Sequence, residues 1–280
     1  MTSPPDSAAH RDAVLRQCAH LCADHPRFAP ALHPQDESRT LTNDELQQHI
    51  PRAIADCQQR FNLEQPKHAA QVWWFSACNT FVGPAVTAAV EYAAILDMHL
   101  DDGQLFLRDD EDYWLGFMPG RVHRLEDTTD ESTCELLAEQ AAAFARSITP
   151  IVEQLAEQAS MRPKPLFAIA YDALIQAAIN AGNDSFDPAE GIRVAHALGR
   201  GFGSVTGIDN LIVEVVDGQW EDADVAGALA GEMCEGHHVA RRVSCCMIFH
   251  SAGSGKCANC PRQTPQDRHA AVASIVDSDF

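Results

Sequence analysis

Positive charge is scarce in this 280-residue chain. Twenty Lys and Arg stand against forty Asp and Glu, a formal net charge of −20. A surface of that sign repels nucleic-acid phosphates unless its basic residues are gathered locally, so a nucleic-acid partner is not expected. Long apolar runs are missing as well. Met1 to Arg16 is polar and holds no apolar core of a secretory signal. The longest uncharged stretch, Val72 to Val90, is interrupted by Ser76, Asn79, Thr80, Gly83, Pro84 and Thr87 and has no basic flanks. It reads as two buried helical pieces broken at Gly83-Pro84 rather than as a membrane span. Weak peripheral contact with a membrane surface is compatible with the sequence. No internal repeat or low-complexity tract is visible. With no export signal, the ten cysteines point to a reducing, cytoplasmic setting. There a cysteine is more often a core residue, a metal ligand or a redox group than half of a disulfide.

What is present suits a globular chain: 46% hydrophobic and 21% charged residues, enough to bury a sizeable core. Helical spacing covers Ala8 to Asp24. Thr42 with Glu45 three residues on has capping-box spacing and predicts a helix through Arg60. Further helices are predicted at Pro66 to Ala77, Ala85 to Asp97, Ser132 to Gln158 with a kink at Pro150, Pro165 to Ala181, Pro188 to Leu198 and Val225 to Val243. Gly201 to Val216 reads equally as helix or strand. Three short runs bounded by turn residues, Gln104 to Arg108, Tyr113 to Phe117 and Arg121 to Leu125, predict a meander; the acidic turn Asp109 to Asp112 between the first two reads as solvated turn chemistry. The expected fold class is mainly α (α+β): a helical domain, a small three-stranded antiparallel meander and a small C-terminal four-cysteine region.

That region carries the chemistry. Arg241-Arg242-Val243-Ser244-Cys245-Cys246 is followed, ten residues later, by Cys257-Ala258-Asn259-Cys260-Pro261, so four of the ten cysteines fall within sixteen residues. Cys257-x-x-Cys260 is a knuckle: a tight turn that brings two sulfurs to one metal while backbone N–H groups turn toward them. Gly253 and Gly255 let the intervening loop fold back. The vicinal pair is harder to place. Adjacent side chains point to opposite faces of a strand, or about a hundred degrees apart on a helix. A two-metal cluster, which spreads four thiolates over a larger object, accommodates the pair more easily than one tetrahedral zinc. From spacing alone a structural zinc site, an iron–sulfur cluster and a thiol or vicinal disulfide all remain open. Arg241, Arg242, Lys256, Arg262 and Arg268 give this stretch a local excess of positive charge over its single acidic residue, Asp267. Such charge neutralises thiolates and favours a reduced cluster. Arg241, Arg242 and Lys256 are the candidates from this stretch for substrate contact.

Other chemistry-bearing residues have plainer readings. Gly199-Arg200-Gly201-Phe202-Gly203 lacks the third glycine of a dinucleotide fingerprint and reads as helix packing or a turn. Trp73, Trp74 and Trp114 read as core. His99, His237, His238 and His250 read as exposed or satisfied histidines, and Cys234-x-x-His237 as a weaker ligand pair beside four cysteines that already suffice. Cys18, Cys22, Cys57, Cys78 and Cys134 read as packing residues.

At Arg241, Arg242, Cys245, Cys246, Cys257, Cys260 and Pro261 the sequence resembles the FhuF family of ferric-siderophore reductases. The C-terminal signature of that family is Cys-Cys, ten residues, Cys, two residues, Cys, with a preceding Arg pair and a following Pro. The likeness reaches upstream to about residue 66, through Val72-Trp73-Trp74-Phe75, the Leu100 to Leu107 stretch with Asp102-Gly103, and Arg162-Pro163-Lys164-Pro165-Leu166-Phe167. In the last of these the family commonly has a Trp where this chain offers only Phe167. The resemblance implies a [2Fe-2S] cluster on Cys245, Cys246, Cys257 and Cys260, a siderophore-binding helical domain over 1–235 and a cluster domain over 236–280. It implies one-electron reduction of Fe(III) in a siderophore, expected to be of the hydroxamate type, in the cytoplasm. No flavin or nicotinamide site is evident, so the electron is expected from a separate ferredoxin or reductase. The rival expectation is a non-redox siderophore-binding protein with a structural zinc. A redox sensor that switches by cluster loss is a third.

Overall fold

Alanine-rich, Leu- and Gln-containing stretches give the chain its long helices. In the computed structural model, which describes residues 6–34, 38–108, 111–217 and 219–276, α1 (Asp6–Asp24) is followed by a short 3-10 turn and α2 (Ala29–Leu32), then by β1 (Thr40–Leu41). α3 (Asn43–Phe61) opens where the Thr42 capping box predicts. The Thr42 hydroxyl accepts the Glu45 N–H at 3.2 Å and the Glu45 carboxylate accepts the Thr42 N–H at 2.8 Å. Next come α4 (Pro66–Tyr92), β2 (Ala94–Leu96), β3 (Gln104–Arg108), β4 (Glu111–Met118), β5 (Val122–Arg124), α5 (Glu131–Gln158), α6 (Lys164–Asp184) and α7 (Pro188–Thr206). The chain closes with β6 (Val213–Asp217), β7 (Gln219–Asp222), α8 (Val225–Leu229), β8 (His237–Ala240) and α9 (Pro265–Val276).

The core lies where α4 packs on α6 and α7 packs on both α5 and α6. Trp73, Trp74, Phe144, Tyr171 and Phe202 are its largest buried side chains. α6 and α7 approach so closely that a Cβ on Gly182 would stand 2.8 Å from the Gly191 Cα, a spacing only glycine permits.

Four expectations need correction. The break at Gly83-Pro84 does not occur: α4 runs through Pro84 without interruption. Pro84 forfeits a backbone hydrogen bond and crowds the preceding turn, at roughly 3 kcal/mol in an isolated helix. α4 is buried along most of its length, however, against α3 and α6, and that burial holds the axis. The helix also ends at Tyr92, with Ala93 left-handed (φ 47°), so Ala94–Leu96 is free to be a strand. The meander is divided. β3 and β4 pair as expected, but β1 adds to β3, and β5 pairs with β2 instead of β4. The turn at 109–110 lies outside the described residues. Finally, Val225 to Val243 is not one helix. Gly231 and Gly236, both at φ 86°, stop α8 and turn the chain into β8, which completes the antiparallel sheet β7-β6-β8. The ambiguous Gly201 to Val216 divides at Gly207, the left-handed cap of α7, before β6 begins.

Candidate metal centre

β8 delivers Arg241 to Cys246 onto the flank of α6. Asp172, the lone charged residue in the apolar run Leu166 to Ala181, is 2% exposed. It receives the Val243 N–H at 2.9 Å, the Ser244 N–H at 2.8 Å and the Ser244 hydroxyl at 2.5 Å. Burial pushes its carboxyl up from the ordinary value; the hydrogen bonds from Ser244 and Val243 and the charge of Arg242 pull the other way. The two residues before the vicinal pair are thus fixed to a core helix. Just after the pair, Met247 takes a left-handed backbone (φ 67°) and its N–H donates to the Cys245 sulfur at 3.4 Å. A bulky residue held there marks an imposed local conformation. It removes the difficulty of adjacent cysteines pointing apart, because the pair is neither strand nor helix.

The knuckle is fixed separately. The Cys260 N–H closes the turn on the Cys257 carbonyl at 3.0 Å, and the Gln263 amide donates to the carbonyls of Cys257 and Ala258 at 2.7 and 2.8 Å. Asn259 donates to the Ala240 carbonyl at 2.7 Å and accepts from Arg268 at 3.2 Å. Arg268 in turn grips the buried Glu214 of β6 at 2.6 and 2.8 Å. Glu214 also pairs with Arg241. The loop between the two cysteine pairs doubles back as its length demands. His250 stacks on His68 of α4 at 3.8 Å, and Lys256 donates to the Arg262 carbonyl at 2.8 Å.

These fixings bring the sulfurs together. Cys245 and Cys260 stand 3.8 Å apart; two thiolates about 2.3 Å from one tetrahedral metal would be separated by about that much. Cys257 lies against Cys260, and Cys246 interacts with both Cys245 and Cys257. Among the described residues no three His, Cys, Asp or Glu side chains close on a single ion. Burial, with adjacent Cys260 and Cys246, pushes the Cys245 thiol up to about 11 against the Met247 N–H. Burial also raises Cys257, against the charge of Arg242. Thiols so raised ionise when a cation compensates them.

Arg242 supplies part of that compensation. Its side chain is 4% exposed, 3.6 Å from Asp172, with Nη1 3.5 Å from the Cys257 sulfur and the guanidinium 5.0 Å from the Phe75 ring centre. Its Nε and Nη2 are buried without a hydrogen-bond acceptor. Unmatched buried donors beside four thiols fit an anionic, sulfur-rich group.

Residues 242–262 match the family model of the FhuF 2Fe-2S C-terminal domain. The C-terminal segment is similar to that domain family. Its cofactor is a [2Fe-2S] cluster, and the donor set just described fits one. No curated protein and no solved structure matches the chain.

The FhuF-type segment opens on one side. Cys245, partly exposed, forms part of the wall of a cleft of about 790 Å³, together with Lys67 and Gln71 of α4, Arg162 just before α6, Lys164 and Ala168 at its start, Asp209 and Asn210 after α7, and Met247 and Arg262. Sequence reasoning missed both this cleft and Asp172. The only traces were the Arg162-Pro163-Lys164-Pro165 pattern and a solitary charge on an apolar helix. Of the substrate candidates, Arg242 is buried, Arg241 is tied to Glu214, and Lys256 is exposed and bonded to the Arg262 carbonyl. None of the three lines the cleft.

The remaining candidates are placed elsewhere. Trp73 and Trp74 are buried, with the Trp74 indole donating to the Leu166 carbonyl at 2.9 Å. Trp114 packs against the core under Arg60. Phe167 packs there too. His238 is buried and bonded to Gly236, and His237 meets Asn183. His99 sits beside Asp101 and Asp102. Cys234 has Arg193, Asp224, Asp187 and Glu232 as its charged neighbours. Cys18, Cys57 and Cys78 are core, and Cys22 and Cys134 pack against it. Among the described residues no helix is long and apolar enough to cross a membrane.

Proposed function

We propose that this chain is a cytoplasmic ferric-siderophore reductase in which Cys245, Cys246, Cys257 and Cys260 hold the cluster and the helical body over 1–235 binds the siderophore. A [2Fe-2S] cluster supplies one electron at a time, which matches the single electron between Fe(III) and Fe(II). Fe(III) is a hard ion held by oxygen donors, and Fe(II) binds the same donors far less tightly. The net reaction takes one electron from a separate ferredoxin or reductase and gives it to Fe(III). The donor protein is oxidised, iron leaves as Fe(II), and no covalent bond of the siderophore breaks.

The observation that supports this reading is the position of Cys245 in the wall of a cleft large enough for a chelate. Small-ligand sites commonly enclose about 300–1,000 Å³. Cys246 and Cys260 are buried, so the cluster would be shielded on their side and approachable on that of Cys245. Arg242 places a fixed positive charge beside the sulfurs, which favours the form carrying the extra electron.

The test is anaerobic. Purified protein should be red-brown, hold about two irons per chain as a [2Fe-2S] cluster does, and give an EPR signal on reduction. Mixed with a ferric siderophore and an Fe(II) trap, the reduced protein should reoxidise as trapped Fe(II) accumulates. C257S and C260S should lose the colour. A colourless protein with stoichiometric zinc, or a loaded protein that ferric siderophores leave reduced, would rule the reading out.

A further inference from the structure

The chain has only three lysines, and two of them, Lys67 and Lys164, line the cleft beside Cys245, with Arg162 and Arg262. All four are exposed. Among the described residues none of the four makes an ion pair with a carboxylate. Elsewhere the arginines next to the cysteines are neutralised in place: Arg242 by Asp172, and Arg241 and Arg268 by Glu214. The cleft lining includes one carboxylate, Asp209. A protein of net charge −20 therefore concentrates uncompensated positive charge at the mouth of its cluster site.

The backbone adds to this field. α4 begins at Pro66 and α6 at Lys164, and both present their first turns to the cleft without a side-chain cap. Each N-terminus carries roughly half a positive charge. A concave, low-dielectric wall focuses such potentials.

We infer that the cleft selects ferric chelates of net negative charge, those whose oxygen donors are carboxylates or catecholates, over neutral trihydroxamates. The inference rests on the proposed reductase reading and names the substrate class of that site. An acidic electron-donor protein would feel the same charges. The concavity, sized for a small ligand, and the Cys245 wall inside it favour the chelate.

Gallium(III) chelates test the charge selection without electron transfer, because Ga(III) copies the size and charge of Fe(III) and is not reduced. Calorimetric titration of the cluster-loaded full chain should give affinity at least about tenfold higher for anionic Ga(III) citrate than for a neutral Ga(III) tris-hydroxamate at low salt. The gap should narrow as salt screens the cleft beyond a Debye length of a few ångströms. R162E/K164E should remove most of the preference while the absorbance spectrum of the cluster stays unchanged. K67E, on a different helix, should repeat the effect and covers the case of a poorly folded double variant. Equal affinities, tighter binding of the neutral chelate, or charge-reversed variants that still prefer the anion would overturn the inference. It would also fall if the variants slowed reduction by an acidic ferredoxin and left chelate binding untouched. A preserved charge preference, with no ferric chelate of either kind reoxidising the reduced protein, would sustain this inference and defeat the reductase reading.

Discussion

Asp172 fixes the two residues that precede the vicinal cysteines to a core helix. It accepts two backbone N–H groups and a hydroxyl and faces the buried Arg242. In D172N the charge is lost and an amide N–H₂ group faces other donors. Leaving a buried arginine without its partner costs on the order of 3 kcal/mol. The expected outcome is a lower melting temperature and several-fold faster loss of iron to an external chelator, read as decay of the cluster absorbance. If D172N keeps its cluster as long as the parent protein, the anchor is ordinary packing.

Arg242 acts on energy more than on shape. Replacing it by Gln removes a positive charge in contact with Cys257 and should make the reduction potential more negative. For a one-electron couple each tenfold change is about 59 mV, and a shift of that order is expected in a spectroelectrochemical titration. R242K should recover part of it, because lysine restores charge but not the planar donor set. That the four cysteines gather was legible in the sequence because they fall within one short segment. Asp172 was not, because its partners, backbone and side chain alike, lie some seventy residues away, and nothing local marks that.

Among the elements, the sheet β7-β6-β8 ties the segment to the helical body. Glu214 of β6 is its fastener, holding Arg268 of α9 and Arg241. Burial works against its ionisation, but the hydrogen bonds from Arg241 and Arg268 outweigh it and hold the carboxyl below its ordinary value. A depressed folded value stabilises the fold above the unfolded carboxylate value, near 4.3, and this contribution is lost as pH falls through the folded value. The parent protein should lose melting temperature steeply on acidification below about pH 5, and E214Q should fall less steeply from a lower start. Parallel slopes in circular-dichroism melts of the two proteins would exclude the carboxylate as the cause.

The same elements show where sequence patterns stop. Capping at Thr42 set the start of α3 correctly, because a cap is local chemistry, and Asp187 caps α7 in the same way. β1 and β2, two and three residues long, are too short to display a period. Pro84 misled because the decisive term was burial of α4 on its neighbours. The helix expected over Val225 to Val243 failed at Gly231 and Gly236, whose left-handed backbones outweigh the apolar spacing around them.

For the whole molecule, the distribution of charge matters more than its sum. The basic residues from Arg241 to Arg268 are gathered in one stretch of the sequence. Folding turns two of its members, Arg242 and Arg268, inward, and the exposed cations of the cleft come partly from α4 and the start of α6. That convergence depends on tertiary packing and has no counterpart in the linear order.

α6 runs from the cleft to the cysteine anchor without a break. Lys164 at its first residue and Asp172 eight residues on are about 12 Å apart along one axis. It is a short rigid beam, with the cleft at one end and the anchor of the vicinal cysteines partway along. If the proposed reading holds, whatever loosens the anchor at Asp172 also disturbs the cleft wall, and protein stripped of iron should bind a gallium chelate less tightly in a calorimetric titration.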